Sequence, residues 1–119
     1  MNFFEGFDVG IDLVKISRFK KIPFQRNESF YKKNFSDDEI EYCLKFSDPY
    51  KHFAGKFAAK EAAKKTLDLK FNMLDIEIKN INSKPEIIIP CSTYEFDVSI
   101  SHDGDYAIAI VISRKTNSV

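Results

Sequence analysis

The segment DPYKHFAGKFAAKEAAKK, residues 48–65, predicts the longest helix of the chain. Asp48 is a suitable N-cap, and Pro49 suits the first helical position because its missing N–H has no partner there. The helix is expected to run to about Leu67.

One face of this helix carries an acid among apolar residues. Ala54, Phe57, Glu61 and Lys65 are spaced by three, four and four residues, so a helix stacks them on one face. An acid on such a stripe is costly unless it is paired, bound to a metal or at the edge of a cleft. Glu61 is therefore a candidate site residue.

Upstream of this helix, two further start signals occur. Ser36 precedes an acidic first turn with Glu39 at the capping-box position, which predicts a helix. Ser17 is a reasonable N-cap for a short helix that begins near Arg18 and ends at Pro23.

The N-terminal segment reads as a strand. Residues 7–14 alternate between apolar and other side chains, the period of a strand with one buried face. Asp12 is expected to point away from the side of Ile11 and Leu13.

The pattern of the C-terminal half predicts two hairpins. Residues 74–81 and 86–89 flank a turn at residues 82–85, and residues 97–102 and 105–112 flank Asp103 and Gly104, a dipeptide favoured in tight hairpins. Strands at both ends with helices between them predict an α+β fold, a small antiparallel sheet with helices packed on one face. A chain of 119 residues suits a single domain, residues 1–119, too short to enclose a deep cleft alone.

The composition limits the possible cellular location of the protein. The longest apolar run, residues 106–112, is far short of a membrane span, and no basic n-region opens the chain, so we expect a cytoplasmic protein without a membrane partner. Cys43 and Cys91 form no CxxC pair, so neither a zinc site nor a disulfide framework is indicated.

The net charge of zero hides a basic N-terminal arm, in which Glu28 is the acid among seven cations. An acidic protein and nucleic acid are both possible partners, and a solvated helical face is the plain alternative. The arm shows no recognisable RNA motif, so we expect no nucleic-acid partner. The seven cations are Lys15, Arg18, Lys20, Lys21, Arg26, Lys32 and Lys33.

Asp12 and Glu61 suggest a metal site. Two carboxylates, one from a strand and one from a helix, suffice for Mg²⁺, because water and substrate phosphate complete its shell. Lys60, Lys64 and Lys65 are expected to add positive charge beside Glu61, and Lys65, one turn along the same face, could meet phosphate charge. The structural alternative is a capping Asp12 and a Glu61 that only pairs with Lys65 at i, i+4. His102, at a strand end, is either a hydrogen-bonded terminal residue or a ligand contact.

Three segments together resemble a known family. GIDLVKISRF (residues 10–19), FAGKFAAKEAAKK (residues 53–65) and SISHDGDYAIAIVI (residues 99–112) resemble, in order and spacing, the signature blocks of the holo-acyl-carrier-protein synthases. This is the small group of the 4′-phosphopantetheinyl transferases. FSDDEIEYC, residues 35–43, resembles the connecting helix block of that group.

The resemblance implies roles for individual residues. Asp12 and Glu61 match the magnesium ligands, and Lys65 matches the lysine near the reacting phosphate, so these three are the implied catalytic residues. Lys56, Lys65 and His102 match contacts to coenzyme A. Arg18 matches the arginine that engages the acidic carrier protein, and Lys20 and Lys21 add to that surface.

The resemblance also implies a reaction, in which a carrier-protein serine attacks the phosphorus bearing the pantetheine arm and adenosine 3′,5′-bisphosphate leaves. It implies a homotrimer with sites between subunits and a setting in fatty acid biosynthesis. Residues 66–70 replace glycines common in the family, so the loop over coenzyme A is expected to differ in shape. Two alternatives stay open on the residues alone: a noncatalytic module that binds an acidic protein through the basic arm, and a magnesium-dependent phosphodiester hydrolase.

Overall fold

The computed structural model describes residues 4–68, 70–90 and 92–116, and Leu69 and Cys91 lie outside them. The elements follow one another as β1 (Phe7–Lys15), α1 (Ile16–Lys20), α2 (Glu28–Asn34), α3 (Asp37–Leu44), α4 (Pro49–Lys65), β2 (Glu77–Ile81), β3 (Lys84–Ile88), β4 (Tyr94–Asp103) and β5 (Tyr106–Lys115). Short 3₁₀ helices span Phe24–Arg26 and Met73–Asp75.

The predicted α+β fold is confirmed. An antiparallel sheet has the strand order β1-β5-β4, and β2 and β3 form a separate antiparallel hairpin. Helix α4 lies against the inner face of the larger sheet, and α1 and α3 also pack on α4. The core between them is built from alanines of α4 and β5 with aromatic rings, including Phe19 of α1, Tyr31 of α2, Phe35 just after α2 and Phe53 of α4.

The helix starts at residues 36 and 48 are confirmed. The Ser36 hydroxyl oxygen accepts a hydrogen bond from the Glu39 N–H, and the Glu39 carboxylate accepts one from the Ser36 N–H. Together these two bonds form a complete capping box. Asp48 caps α4 through the N–H of Tyr50. The helix ends at Lys65, two residues before the predicted end, because Thr66 already caps it.

The prediction for the first helix was wrong at its start. Helix α1 begins at Ile16, so Ser17 lies inside its first turn, and Lys15 at the N-cap makes no side-chain cap. Asp105 caps the helix instead, by accepting from the N–H of Ser17 at 3.0 Å and from its hydroxyl at 2.8 Å. The sequence pattern also missed α2, which follows Pro23.

The two hairpins are confirmed with shifted turns. Asn82 and Ser83 both have positive φ, as a two-residue I′ turn requires, so Lys84 and Pro85 already belong to β3. Residues 74–76 precede the first strand of this hairpin rather than forming part of it. In the second hairpin the loop residues are Gly104 and Asp105, and Gly104 has a φ of +56°.

Strand β1 alternates as predicted, but its apolar side is not covered within the chain. Gly10 and Val14 are buried against α4, whereas Ile11 and Leu13 remain 54% and 59% exposed. Asp12 does point away from Ile11 and Leu13, and this direction is the inner face of the sheet. Within the described residues, no helix is long and apolar enough to span a bilayer.

Candidate active site

The site is positioned by a close crossing of β1 and α4 at Gly10. A Cβ on Gly10 would overlap the carbonyl oxygen of Ala62. Only glycine lets the strand backbone approach the helix backbone this closely. Asp12, two residues further along the same strand face, therefore lies beside the turn of α4 that carries Glu61 and Lys65.

Asp12 and Lys65 are in direct contact. The Lys65 Nζ donates to the Ile11 carbonyl oxygen at 2.7 Å and lies 3.4 Å from the Asp12 Oδ1. The Asp12 side chain is 20% exposed and that of Lys65 is 53% exposed. The structure thus joins the two predicted site residues that come from different signature segments.

Glu61 lies on the side of α4 that stays accessible in the second half of the helix. Eight of its neighbours along the helix, from Ala54 to Ala63, are buried, while Phe57, Glu61, Lys64 and Lys65 are partly or fully accessible. Glu61 pairs with Lys64, at 3.8 Å, and not with Lys65 as the structural alternative supposed. Because Glu61 and Lys65 are one turn apart on α4 and Lys65 contacts Asp12, the three residues follow one another along the junction of α4 with β1, which is called the groove below.

The donor set in this groove fits a hard divalent cation. Asp12 and Glu61 each keep accessible carboxylate surface, and their acceptors are oxygens, the ligands that Mg²⁺ prefers. No cluster of three or more His, Cys, Asp or Glu side chains suited to a metal occurs in the described parts of the chain. A cation here would have two protein ligands and would take its other oxygens from water and substrate.

Lys60 does not contribute positive charge to this groove, contrary to the sequence prediction. Its side chain is fully buried and forms an ion pair with Glu39, which is also buried. Its ammonium also donates to the carbonyl oxygens of Asn34, at 2.8 Å, and Met73, at 3.0 Å. Burial lowers the pKa of Lys60, and the Glu39 carboxylate opposes that shift.

Lys56 is also buried, on another side of α4. Its Nζ donates to the Ile78 carbonyl oxygen at 2.9 Å and to the Asn80 Oδ1 at 2.8 Å, and it lies 4.6 Å from the centroid of the Tyr42 ring. Burial lowers the pKa of Lys56. Lys56 therefore ties α4 to β2 and is about 140° around the helix from Glu61.

His102 lies beside Lys56 rather than beside Asp12. Its Nε2 donates to the Lys51 carbonyl oxygen at 2.9 Å, and a Cβ on Gly55 would lie 2.9 Å from this nitrogen. His52 stacks on Phe46, and burial lowers the pKa of His52. Both histidines and Lys56 line a cavity of about 170 Å³. The predicted coenzyme A contacts thus fall into two separate places in one chain.

Arg18 lies beside Phe57, near the Glu61 end of the groove. Its guanidinium lies 5.7 Å from the centroid of the Phe57 ring, and Phe57 is one turn before Glu61. Lys20 and Lys21 follow at the end of α1 and are exposed. The aromatic residues of the basic arm contribute to the core.

Two features of the site were missed from the sequence. A single glycine in a strand pattern signals a close backbone approach, so Gly10 could have been read as the crossing point. The pairing of Glu39 with Lys60 has no local signal, since 21 residues separate the partners and the capping box already accounts for Glu39.

Comparison with known proteins gives a consistent result. Residues 8–111 match the family described as the 4′-phosphopantetheinyl transferase superfamily. A curated relative, the holo-[acyl-carrier-protein] synthase of Thermodesulfovibrio yellowstonii, is 37% identical over 107 residues, which cover 87% of this chain and 95% of that protein.

Solved structures show the same similarity. The Helicobacter pylori holo-[acyl-carrier-protein] synthase, solved in complex with coenzyme A, is 31% identical with a TM-score of 0.75, covering 87% of this chain and 97% of that chain. The Bacillus anthracis synthase, also solved in complex with coenzyme A, is 28% identical with a TM-score of 0.79, covering 91% and 96%.

Proposed function

Because the chain belongs to the 4′-phosphopantetheinyl transferase superfamily, we propose that it transfers the 4′-phosphopantetheine group from coenzyme A to a serine of an apo acyl-carrier protein. Adenosine 3′,5′-bisphosphate is the second product. The serine belongs to the carrier protein, so this chain needs no nucleophile of its own.

The observation that carries the proposal is the row of Glu61, Lys65 and Asp12 along one groove. Asp12 and Glu61 would hold Mg²⁺, which when bound would offset negative charge on the pyrophosphate of coenzyme A. Lys65 presents its ammonium at Asp12, where it can stabilise the charge that develops on the transferred phosphoryl group. Magnesium dependence is part of the proposal and follows from the oxygen donors.

The carrier protein would bind at the end of the groove where Arg18 lies. A cation beside Phe57, one turn from Glu61, lies where an acidic protein must dock for its serine to reach the groove. The Asp105 carboxylate caps α1 and so holds the helix that presents Arg18. Lys20 and Lys21 extend the positive surface and steer the carrier at longer range.

Two observations support a homotrimer with sites between subunits. In one chain, Lys56 and His102 lie on another side of α4 from Asp12 and Lys65, and a site between copies would bring one set of each kind to a single coenzyme A. The outer face of the sheet also exposes the cross-strand pairs Val9 with Ile112, Ile11 with Ile110 and Leu13 with Ile108. Such a continuous apolar patch marks an interaction surface.

Mass analysis of a carrier protein tests the chemistry. Incubation of the chain with coenzyme A, Mg²⁺ and an apo carrier protein should add one phosphopantetheinyl group to the carrier, and omission of Mg²⁺ should prevent it. Hydrolysis of coenzyme A without carrier modification would indicate a hydrolase. An unmodified carrier that nevertheless binds the chain would indicate a noncatalytic module. A cytoplasmic location and a setting in fatty acid biosynthesis stay predictions.

A further inference from the structure

A buried ion pair, called the knot below, lies next to Glu61, which is one of the two residues proposed to bind the metal. It consists of Glu39 and Lys60, whose side chains are 1% and 0% exposed. Lys60 precedes Glu61 in α4, so the two side chains point about 100° apart around the helix. The knot and the groove are therefore on adjacent sides of the same turn.

Every charged atom of the knot has partners from a different segment. The Glu39 carboxylate accepts from the N–H of Ser36 and from the N–H of Ile78, both at 2.8 Å, as well as from Lys60. Lys60 uses its other two donors on the carbonyl oxygens of Asn34 and Met73. The knot thus joins the ends of α2 and the second 3₁₀ helix to α3, α4 and β2.

The side of this turn that faces the core is built from small residues, Ala58, Ala59, Ala62 and Ala63. Side-chain hydrogen bonds anchor α4 at three places. Lys56 donates to β2, Lys60 donates to Glu39 of α3, and Lys65 donates to β1. Of these three anchors, Lys60 is the one next to Glu61 in sequence.

A buried ion pair is weak evidence for stability, because apolar residues of similar volume often replace it without loss. Its best-attested use is to select one arrangement among several of similar energy. The Lys60 ammonium reaches its three acceptors in one rotation of α4. In that rotation Lys65, one turn after Glu61 on the same face of α4, contacts Asp12.

We infer that the Glu39–Lys60 pair is a positioning element that sets the rotation of α4 and so orients Glu61 toward Asp12. The inference rests on the proposed function, since it concerns the residues proposed to hold the metal. Neither Glu39 nor Lys60 touches substrate in this account. Both act through Glu61.

The test uses a neutral double variant, Glu39→Gln with Lys60→Met, and the shorter acid Glu39→Asp. Mn²⁺ affinity is measured by electron paramagnetic resonance on folded protein without coenzyme A, alongside urea unfolding and the kcat and KM of transfer. Both variants should bind Mn²⁺ at least about tenfold more weakly and lose kcat rather than raise the KM for the carrier. Phe53→Leu, a buried change earlier in α4, is the control for lost stability and should keep wild-type Mn²⁺ affinity.

Nuclear Overhauser contacts between the side chains of Lys65 and Asp12 give a readout that needs no metal. The knot variants should weaken these contacts, and Phe53→Leu should retain them. If either folded knot variant keeps wild-type Mn²⁺ affinity and these contacts, the pair is only a stability element and the inference is wrong. If Asp12→Ala binds Mn²⁺ as well as the wild type does, the proposed metal site is wrong, and the Overhauser contacts alone decide the positioning role.

Discussion

The two faces of β1 have very different surroundings. The inner face, with Gly10, Asp12 and Val14, is pressed onto α4 so closely that Gly10 has no room for a side chain. The outer face, with Ile11 and Leu13, is apolar and more than half exposed. Apolar residues exposed together on one face mark an interaction surface.

This difference separates two tasks. The inner face builds the chemistry, because the close crossing brings Asp12 to the turn that carries Glu61 and Lys65. In the proposed homotrimer the outer face would build the assembly, and the assembly would bring the cavity of Lys56 and His102 in one copy toward the groove of another. The following substitutions test each face separately.

The largest effect is expected at the inner face. Asp12→Ala and Glu61→Ala should each lower kcat for transfer by about 1,000-fold or more, roughly 4 kcal/mol, because each removes one of two protein ligands from the metal. Circular dichroism should show an intact fold, since both side chains are partly exposed. Near-normal turnover at limiting Mg²⁺ in either variant would contradict the metal assignment.

The next largest effect is expected from Gly10→Ala. The added Cβ would meet the Ala62 carbonyl oxygen, a backbone atom that no rotamer change can move. We expect the free energy of unfolding to fall by about 3 kcal/mol, measured by urea denaturation. Gly55→Ala is the matched control, because its Cβ would meet the side chains of His102 and Ile100. An equal or larger loss at Gly55 would show that the crossing at Gly10 is not tight.

A charge on the outer face should break the assembly while leaving each chain folded. Ile11→Lys places a cation opposite Ile110 in the apolar patch, where a second copy would have to desolvate it. We expect the concentration for half-assembly to rise about 100-fold, roughly 2.7 kcal/mol, in analytical ultracentrifugation. Lys15, at the rim of the same face, gives the control Lys15→Gln, which should change assembly little. Wild-type protein that stays monomeric at all concentrations would disprove the homotrimer.

The smallest of these effects is expected at the end of the groove. Arg18→Glu should weaken use of the carrier protein by about tenfold, roughly 1.4 kcal/mol, because repulsion replaces attraction to an acidic partner. Steady-state kinetics should show this in kcat/KM for the carrier, with coenzyme A binding retained. Lys33→Glu, also on the basic arm, should do less. Carrier kinetics unaffected by Arg18→Glu, or insensitive to salt in the wild type, would make the arm only a solvated face.

Local signals in the sequence predicted local structure well. Asp48 and Pro49 gave the start of α4, and Ser36 with Glu39 gave the start of α3, because caps act on N–H groups within three residues. The prediction of the start of α1 was wrong for the opposite reason. Its cap comes from Asp105, which is 88 residues from Ser17 in sequence.

For the candidate site, too, local signals were informative and long-range contacts were not. Asp12 and Glu61 were identified by an acid in an unusual place and by resemblance, and Lys65 by its place on the Glu61 face. Periodicity could not say which face of β1 is covered, since the covered face carries Gly10 and Asp12 while the apolar face with Ile11 and Leu13 is exposed in a single chain. It also placed Lys60 in the open cluster, because the distant carboxylate that neutralises Lys60 leaves no trace in the local pattern.

The central claim is that a working site combines the groove of one copy with the cavity of another. It is tested by coexpressing chains that carry Asp12→Ala with chains that carry His102→Ala, each with its own tag, and purifying the mixed assemblies. Transfer to an apo carrier protein is then measured at limiting coenzyme A. The account predicts activity well above that of either pure variant, because an intact groove meets an intact cavity at one interface. Activity no higher than the average of the two pure variants would contradict it.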